Sequence, residues 1–324
     1  MYAPGRVTIA IPTFNRATFA VRALQSALAQ SYSDLEIVVS DDASTDETAE
    51  RLRQFCDSRL VCVRQPERLG LVANFDFCLR RAAGEFFLLL GDDDVLLPYA
   101  IERLVQPLLQ QPPGFDGQSI GAQPIGVVWC PCRIVASDGR LLWTTKAGPR
   151  TESPVDLLVE LWAGRRGPRL SGILTRTQSV LAAGGFQQRY GYLCDLGAWG
   201  AAALMHQAVV CVGEPLVQYT NHSGSATSRS DVRTWQDWAA LVHADLRTAA
   251  AARWGEAEGR RIARAKGNLI AGITLTILIQ TARTRGWIRN ALRELLRRPD
   301  VFVSPYMFRR VLRDVWKLLR LGQC

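Results

Sequence analysis

Four short apolar runs in the first hundred residues each end directly in a polar turn, and this pattern constrains the fold more than any other feature of the chain. The runs read as strands over Val7–Ile11, Leu35–Ser40, Leu60–Val63 and Phe86–Leu90. The segments between them place apolar residues at helical spacing. Alternating strands and helices build a mostly parallel sheet covered by helices, so the sequence predicts an α/β fold.

The helices of this first region follow from the same spacing. They are predicted over Thr18–Gln30, Thr45–Phe55, Leu71–Ala83 and Pro98–Gln110. Residues 110–124 are rich in Pro, Gly and Gln and are predicted to form a loop.

The middle of the chain mixes shorter elements. Val127–Val135 and Leu141–Thr145, joined around Ser137-Asp138-Gly139, predict a hairpin. The remaining predictions up to residue 230 are helices at 154–162, 177–183 and 196–206 and strands at 209–212 and 215–219. From Asp231 onward the pattern is helical and basic.

Three of the polar turns are expected to meet in one crevice. In open α/β sheets, ligands bind at the carboxyl ends of the strands. The turns IPTFNR (11–16), SDDASTD (40–46) and GDDD (91–94) all follow predicted strands. These turns therefore hold the candidate binding residues.

The GDDD turn carries three consecutive carboxylates, Asp92, Asp93 and Asp94. Three carboxylates in a partly buried crevice repel one another and need a positive partner. A divalent cation such as Mg²⁺ or Mn²⁺ suits oxygen ligands and substrate phosphates. The alternative is an Asp-rich turn that caps the helix beginning near Pro98.

The other two turns offer polar contacts. Asp41-Asp42 ends the second strand, and one of these acids either accepts hydrogen bonds from a base or ribose or simply caps the next helix. Thr13 and Asn15 supply further polar groups, and Arg16 is a candidate phosphate contact.

Four strings taken together resemble the family 2 glycosyltransferases of the GT-A fold. They are VTIAIPTFNR, LEIVVSDDASTDET, LGLVANFDFCLRRAAGEFFLLLGDDDVLLP and GGF (184–186), in the family's order and spacing over roughly residues 5–225. The resemblance implies a Rossmann-like, mostly parallel sheet with flanking helices. It also implies sugar transfer from a nucleotide diphosphate donor, with inversion at the anomeric carbon.

The resemblance also assigns the donor site. It implies a nucleotide-sugar pocket formed by Pro12, Thr13, Asn15, Arg16, Asp42, Asp92 and His222. Asp42 would contact the base and Asp92 the ribose, while Asp93 and Asp94 would hold Mn²⁺ or Mg²⁺. The chain departs from the common D-x-D form because Gly91 stands where the first acid is usual.

Inverting transfer needs a base for the acceptor hydroxyl. After GGF the family usually has an acid pair that opens a helix, and here Cys194 replaces the first acid and Asp195 matches the second. Asp195 is therefore the expected catalytic base, with a helix cap as the alternative.

The three histidines are read differently. His222 follows a predicted strand at a place where family members often carry a His facing the diphosphate or metal, although a surface His is the alternative. His206 and His243 lie in helical patterns and are expected to pack or to face solvent.

The basic excess of the chain lies at its carboxyl end. Residues 230–324 contain 18 Lys and Arg against 8 Asp and Glu. Gly267–Ala282 is too short to span a bilayer readily, and Met307–Leu321 is basic and amphipathic. This region either lies on an anionic membrane surface or packs on the catalytic domain, and both interpretations stay open.

Together these features predict a catalytic GT-A domain over residues 1–229 and a basic helical region over 230–324. Residues 1–110 would bind the nucleotide and residues 111–229 the acceptor. The widely spaced cysteines and the absence of a recognisable secretory signal predict a cytoplasmic protein. Membrane binding by the carboxyl-terminal region, one of its two open interpretations, would make the protein peripheral at the inner face of the cytoplasmic membrane.

The predicted function is non-processive, metal-dependent, inverting glycosyl transfer to a saccharide or lipid-linked acceptor in cell-envelope polysaccharide synthesis, without a nucleic-acid partner. One alternative is a polyprenyl-phosphate glycosyltransferase. Another is a non-catalytic basic adaptor that binds a membrane or nucleic acid.

Overall fold

The computed structural model describes residues 2–110, 125–222 and 232–265. These residues form two compact units. The first contains the described residues up to 157 and those from 166 to 222, and the second contains 158–165 and 232–265. The predicted boundary between residues 229 and 230 lies outside the described residues and stays a prediction.

The first unit contains two β-sheets. Their strands are β1 (Ala3–Thr13), β2 (Leu35–Asp41), β3 (Leu60–Arg64), β4 (Gly84–Leu89), β5 (Val95–Leu96), β6 (Ile125–Trp129), β7 (Cys132–Ala136), β8 (Leu141–Thr144), β9 (Thr151–Glu152), β10 (Ile173–Arg176), β11 (Ala208–Cys211) and β12 (Val217–Asn221). The larger sheet has the order β3-β2-β1-β4-β10-β6-β11-β9, and the smaller has the order β5-β12-β7-β8.

The larger sheet is mostly parallel where the polar turns lie. Strands β3, β2, β1 and β4 run parallel, whereas β10 is antiparallel to both of its neighbours. The predicted α/β class with a mostly parallel central sheet is thereby confirmed.

The helices follow the predicted spacing closely. They are α1 (Ala17–Leu28), α2 (Thr48–Leu52), α3 (Leu71–Arg81), α4 (Ala100–Leu109), α5 (Pro154–Trp162), α6 (Thr177–Ala182), α7 (Cys194–Leu204), α8 (Val232–Trp254) and α9 (Glu256–Arg264). Short 3₁₀ segments cover Leu170–Gly172 and Gln188–Leu193.

The core explains why the parallel strands read as continuous apolar runs. The last seven residues of β1 are all buried, because helices cover both faces of the parallel sheet. Helix α1 buries Ala20, Ala23, Leu24 and Ala27, which recur on one face of a helix. This packing fixes the carboxyl end of β1, where the first polar turn begins.

Two predicted elements differ from the structure. The single strand expected over Val127–Val135 is divided at Cys130-Pro131, with β6 in the larger sheet and β7 in the smaller. Proline has no backbone N–H to donate to a ladder, so the run breaks there and changes sheets. The helix expected over Thr45–Phe55 is shorter, since its first residues belong to the loop before α2.

The second unit is built around α8 and α9. His243 is buried, its Nε2 lies 3.0 Å from the carbonyl oxygen of Ile262, and its ring meets the Trp162 ring edge-on at 4.7 Å. His243 therefore packs within this unit.

Within the described ranges, every helix is too short or too polar to cross a bilayer. The amphipathic segments predicted at Gly267–Ala282 and Met307–Leu321 lie outside the described residues, so the membrane contact stays a prediction.

Candidate active site

The candidate site lies where β1, β2 and β4 end. Thr13 at the end of β1 is paired in register with Asp41 at the end of β2, and β4 runs beside β1 into the GDDD turn. The end of β12 reaches the same place, because the Thr220 backbone N–H donates to Asp94 Oδ1 at 2.9 Å. The structure thus brings together the turns that the sequence predicted to converge.

Asp92 is buried and held from two sides. Thr13 Oγ1 donates to its Oδ2 at 2.8 Å, and Arg16 Nη1 donates to its Oδ1 at 2.9 Å. Burial raises the pKa of Asp92 to about 6, although the positive charge of Arg16 opposes that shift. Both carboxylate oxygens therefore have partners in the protein.

Asp93 is the most accessible acid of the three and has two cationic or ionisable neighbours. Arg16 Nη1 also donates to Asp93 Oδ2 at 2.9 Å, and His222 Nε2 lies 2.8 Å from the same oxygen. The Phe19 ring stacks on the His222 ring at 5.0 Å. Burial alone would raise the pKa of Asp93, but His222 and Arg16 favour the carboxylate and the pKa is lowered.

Asp94 accepts hydrogen bonds from the 3₁₀ segment Leu170–Gly172 and from β12. Ser171 Oγ donates to its Oδ2, and the backbone of Thr220 donates to its Oδ1. Burial and the nearby charge of Asp93 raise the pKa of Asp94 well above its usual value. These contacts favour Asp93 over Asp94 as the metal ligand, and the assignment of Asp94 to the metal stays a prediction.

The glycine in place of the first acid has a local cause. A Cβ at Gly91 would lie 3.1 Å from Asp93 Oδ1 and 3.2 Å from Asp94 Oδ2, both closer than ordinary contact. The Gly91 backbone N–H also donates to Ser171 Oγ at 3.0 Å. A larger residue here would displace the carboxylates that follow it.

Asp42 holds the loop before α3. Its two carboxylate oxygens accept hydrogen bonds from the backbone N–H groups of Leu69, at 2.6 Å, and Gly70, at 3.0 Å. The side chain is buried. Its predicted contact with the donor's base stays a prediction.

The IPTFNR and SDDASTD turns contact each other, and each contains a residue with left-handed backbone conformation. Asn15 and Ala43 have φ of +52° and +58°, a conformation that costs free energy in non-glycine residues. Asn15 Oδ1 accepts a hydrogen bond from the Thr45 backbone at 2.7 Å. Strained backbone at two facing turns is a common feature of binding sites.

Asp195 lies in the first turn of α7 and is partly exposed. Burial raises its pKa to about 6, and the positive charge of Arg169 opposes the shift. The charges of Asp94, Asp93 and Asp195 all raise the pKa of the Tyr219 hydroxyl, after the larger effect of burial. The charge of Asp195 therefore acts on Tyr219, as the charges of Asp93 and Asp94 do.

The residue that replaces the first acid of the family pair is a buried thiol. Burial raises the pKa of Cys194 well above its usual value. A thiol with a raised pKa is a poor base and nucleophile near neutral pH. Asp195 is left as the acid at this helix start.

The GGF string connects α6 to α3. Gly184 and Gly185 both have positive φ, and the Phe186 backbone N–H donates to Asp76 Oδ1 at 3.1 Å. The Phe186 ring packs against Phe75 at 5.7 Å. The string therefore fixes the chain that leads to Asp195.

Replacing Gly185 with Ala should destabilise the fold strongly. The added Cβ would lie 2.3 Å from Asp76 Oδ1, and φ of +66° disfavours any side chain. We expect a loss of about 2–4 kcal/mol in the free energy of unfolding, measured by urea denaturation.

Gly139→Ala is the matched control. Gly139 has φ of +83° with no atom within 4 Å of the added Cβ, so it isolates the backbone cost at about 1 kcal/mol. Equal losses in the two variants would mean that the contact with Asp76 contributes nothing.

Two residues that contact the GDDD turn could not be predicted from the sequence. Ser171 and Thr220 contact the GDDD turn from 77 and 126 residues away along the chain. Neither belongs to a motif, so no local pattern could have found them. Phe19, which stacks on His222, lies on α1 among ordinary apolar helix residues.

Within the described part of the chain, protein side chains alone do not make a metal centre. Among residues 2–110, 125–222 and 232–265, no group of three or more His, Cys, Asp or Glu is arranged to hold a metal ion.

The amino-terminal part of the chain matches a protein-family model. Residues 8–135 match the model "Glycosyl transferase family 2". The matched segment includes all three polar turns at the ends of β1, β2 and β4.

A curated relative extends this likeness to a named enzyme. The GalNAc(5)-diNAcBac-PP-undecaprenol beta-1,3-glucosyltransferase of Campylobacter jejuni is 36% identical over 104 residues. The match covers 31% of this chain and 34% of that protein, so it spans about a third of the relative's own length.

Two solved structures share the fold. TarS 1–349 of S. aureus, in complex with UDP-GlcNAc, superposes with a TM-score of 0.59 and 16% identity, over 88% of this chain and 76% of that one. The mannosyltransferase PcManGT of Pyrobaculum calidifontis, with GDP-Man and Mn²⁺, gives a TM-score of 0.50 and 17% identity, over 96% and 84%.

Proposed function

We propose that this chain, whose residues 8–135 belong to the family 2 glycosyltransferases of the GT-A fold, transfers a sugar from a nucleoside diphosphate sugar to a saccharide on a lipid diphosphate, with inversion. One observation carries the proposal. Asp93, Arg16 and His222 are grouped at the ends of the parallel strands, and Asp195, a carboxylate with a raised pKa, acts electrostatically on Tyr219, as Asp93 and Asp94 do.

The donor would lie across the ends of β1, β2 and β4. Thr13, Asn15 and Asp42, which lie at or just after the ends of β1 and β2, would line the nucleoside pocket together with Pro12 of β1. Arg16 and His222 supply the groups that face the diphosphate, because a guanidinium pairs well with phosphate oxygens. The TarS complex with UDP-GlcNAc supports a nucleotide sugar in this fold.

Mn²⁺ or Mg²⁺ fits the residues beside Asp93. Asp93 Oδ2 and His222 Nε2 lie 2.8 Å apart and would serve as an oxygen and a nitrogen ligand, to which the donor's diphosphate would add oxygens. When bound, the cation neutralises negative charge on the leaving diphosphate. The Mn²⁺ in the PcManGT structure supports this cofactor.

Asp195 would act as the base. Its carboxylate takes the proton of the acceptor hydroxyl while that oxygen bonds to the anomeric carbon. The bond from the anomeric carbon to the diphosphate breaks, and its electron pair leaves with the nucleoside diphosphate. Attack opposite the leaving group inverts the anomeric configuration.

The acceptor is inferred from the Campylobacter jejuni relative, whose name specifies a saccharide on undecaprenol diphosphate. The undecaprenol chain is a lipid, so an acceptor of this kind would place the enzyme at the inner membrane surface, and we propose cell-envelope polysaccharide synthesis as its setting. Transfer to a bare polyprenyl phosphate is the alternative, and the two acceptors give different products.

A panel of nucleotide sugars tests the donor site by thermal unfolding. A donor present at a hundred times its dissociation constant should add about 2.7 kcal/mol of stability, and chelation should remove much of that gain. Stabilisation by no nucleoside diphosphate or nucleotide sugar would contradict the proposed function.

A further inference from the structure

We propose that Arg16 competes with the divalent cation for Asp92 and Asp93, and that it moves to the diphosphate when the donor binds. This inference rests on the proposed metal-assisted transfer. Through the Arg16 side chain, the binding of the nucleotide and the binding of the cation would depend on each other.

A single nitrogen atom joins the two acids. Arg16 Nη1 lies 2.9 Å from Asp92 Oδ1 and 2.9 Å from Asp93 Oδ2. The exposed fractions of the three side chains are 22%, 9% and 18%, so solvent screens these charges poorly. The guanidinium therefore already supplies the positive charge that the acid cluster needs.

Arg16 shares one oxygen atom with the expected cation site. Asp93 Oδ2 accepts its hydrogen bond and also lies 2.8 Å from His222 Nε2. A divalent cation placed between Asp93 and His222 would meet the guanidinium at close range, and the two positive charges repel. Cation binding to the donor-free protein should consequently be weak.

Only the side chain of Arg16 has to move. Its backbone N–H donates to Thr48 Oγ1 at 3.3 Å, and its carbonyl oxygen accepts the Ala20 N–H of α1 at 2.9 Å. Asp92 keeps its hydrogen bond from Thr13 when Arg16 leaves. The backbone around Arg16 can therefore stay in place while its guanidinium group moves.

The donor offers Arg16 another partner. Phosphate oxygens match the guanidinium donors, and the same diphosphate brings oxygen ligands for the cation. Nucleotide and cation should then each strengthen the binding of the other by an equal factor.

The test is calorimetric titration of Mn²⁺ into the donor-free protein. We expect Arg16→Gln to bind Mn²⁺ at least tenfold more tightly than the wild type, because the competing charge is gone. The same variant should bind the best-stabilising nucleoside diphosphate, without Mn²⁺, at least tenfold more weakly. This opposite change in two affinities is not expected of a purely structural residue.

Arg6→Gln is the matched control. It removes the same charge at the amino end of β1, where Arg6 pairs with Asp34 at 2.8 Å, and should leave both affinities unchanged. Should Arg16→Gln fail to fold, Arg16→Lys keeps a weaker partner for the acids and should give an intermediate Mn²⁺ affinity.

The outcomes separate the two ideas. Equal Mn²⁺ affinity in the wild type and in the foldable Arg16 variant overturns the competition and leaves metal-assisted transfer standing. Absence of Mn²⁺ binding to every variant, even with the nucleoside diphosphate present, overturns the metal-assisted transfer and this inference with it.

Discussion

Replacing Asp195 with Asn should lower turnover by about 10²–10⁴-fold, the usual contribution of a general base, while nucleotide binding stays nearly unchanged. The amide keeps the size of the side chain and its place in the first turn of α7. It cannot take the proton of the acceptor hydroxyl. Steady-state transfer rates and calorimetric nucleotide titration measure the two quantities separately.

Asp156→Asn is a matched control for the helix-cap alternative. Asp156 also lies in the first turn of a helix, α5, and contacts Ser153 in a capping arrangement. Its replacement should alter stability slightly and leave turnover intact. If Asp195→Asn behaves in the same way, Asp195 is a cap and another group is the base.

The raised pKa of Asp195 also predicts a pH profile. The base works only when ionised, so kcat/KM of the wild type should fall as the pH decreases below about 6. Because the folded-state pKa lies above the unfolded value, ionisation disfavours the folded state, and this cost grows as the pH rises through 6. Asp195→Asn should therefore raise stability at pH 7, by about 1 kcal/mol, while removing activity.

Replacing Asp93 with Asn should abolish most of the metal-dependent part of nucleotide binding. The oxygen atom shared with Arg16 and His222 belongs to this carboxylate, and a neutral amide is a much weaker ligand for Mn²⁺ or Mg²⁺. Titration of a nucleoside diphosphate with and without Mn²⁺ should show a large difference for the wild type and almost none for the variant.

Asp34→Asn controls for the lost charge. Asp34 precedes β2 at the amino end of the sheet and pairs with Arg6 there. It should leave the metal dependence unchanged. Metal-sensitive nucleotide binding that persists in Asp93→Asn would contradict the ligand assignment and direct attention to Asp94.

Much of the fold follows from the sequence because its signals are local. The strands β1 to β4 and helices α1 and α3 lie within a few residues of their predicted bounds, since apolar periodicity records which face is buried. Helix α2 is shorter than predicted because Asp46 accepts the Thr48 and Ala17 backbone N–H groups and holds the preceding residues as a loop.

Only part of the candidate site can be predicted from local sequence patterns. Motif strings locate Asp93, but no local pattern shows that Arg16 bridges two acids 76 and 77 residues away. The resemblance assigns His222 to the donor site, but no local pattern shows its contact with Asp93, which depends on the pairing of β12 with β5 and β7. Long-range contacts of this kind depend on sheet topology.

The most direct test of the central claim is a transfer assay followed by proton NMR of the product. The stabilising nucleotide sugar is incubated with an undecaprenyl diphosphate saccharide or with undecaprenyl phosphate, each with Mn²⁺ and with a chelator. We predict Mn²⁺-dependent transfer to the diphosphate-linked saccharide, with an anomeric configuration opposite to that of the donor. A product that retains the donor's configuration, or transfer unaffected by chelation, would contradict the account.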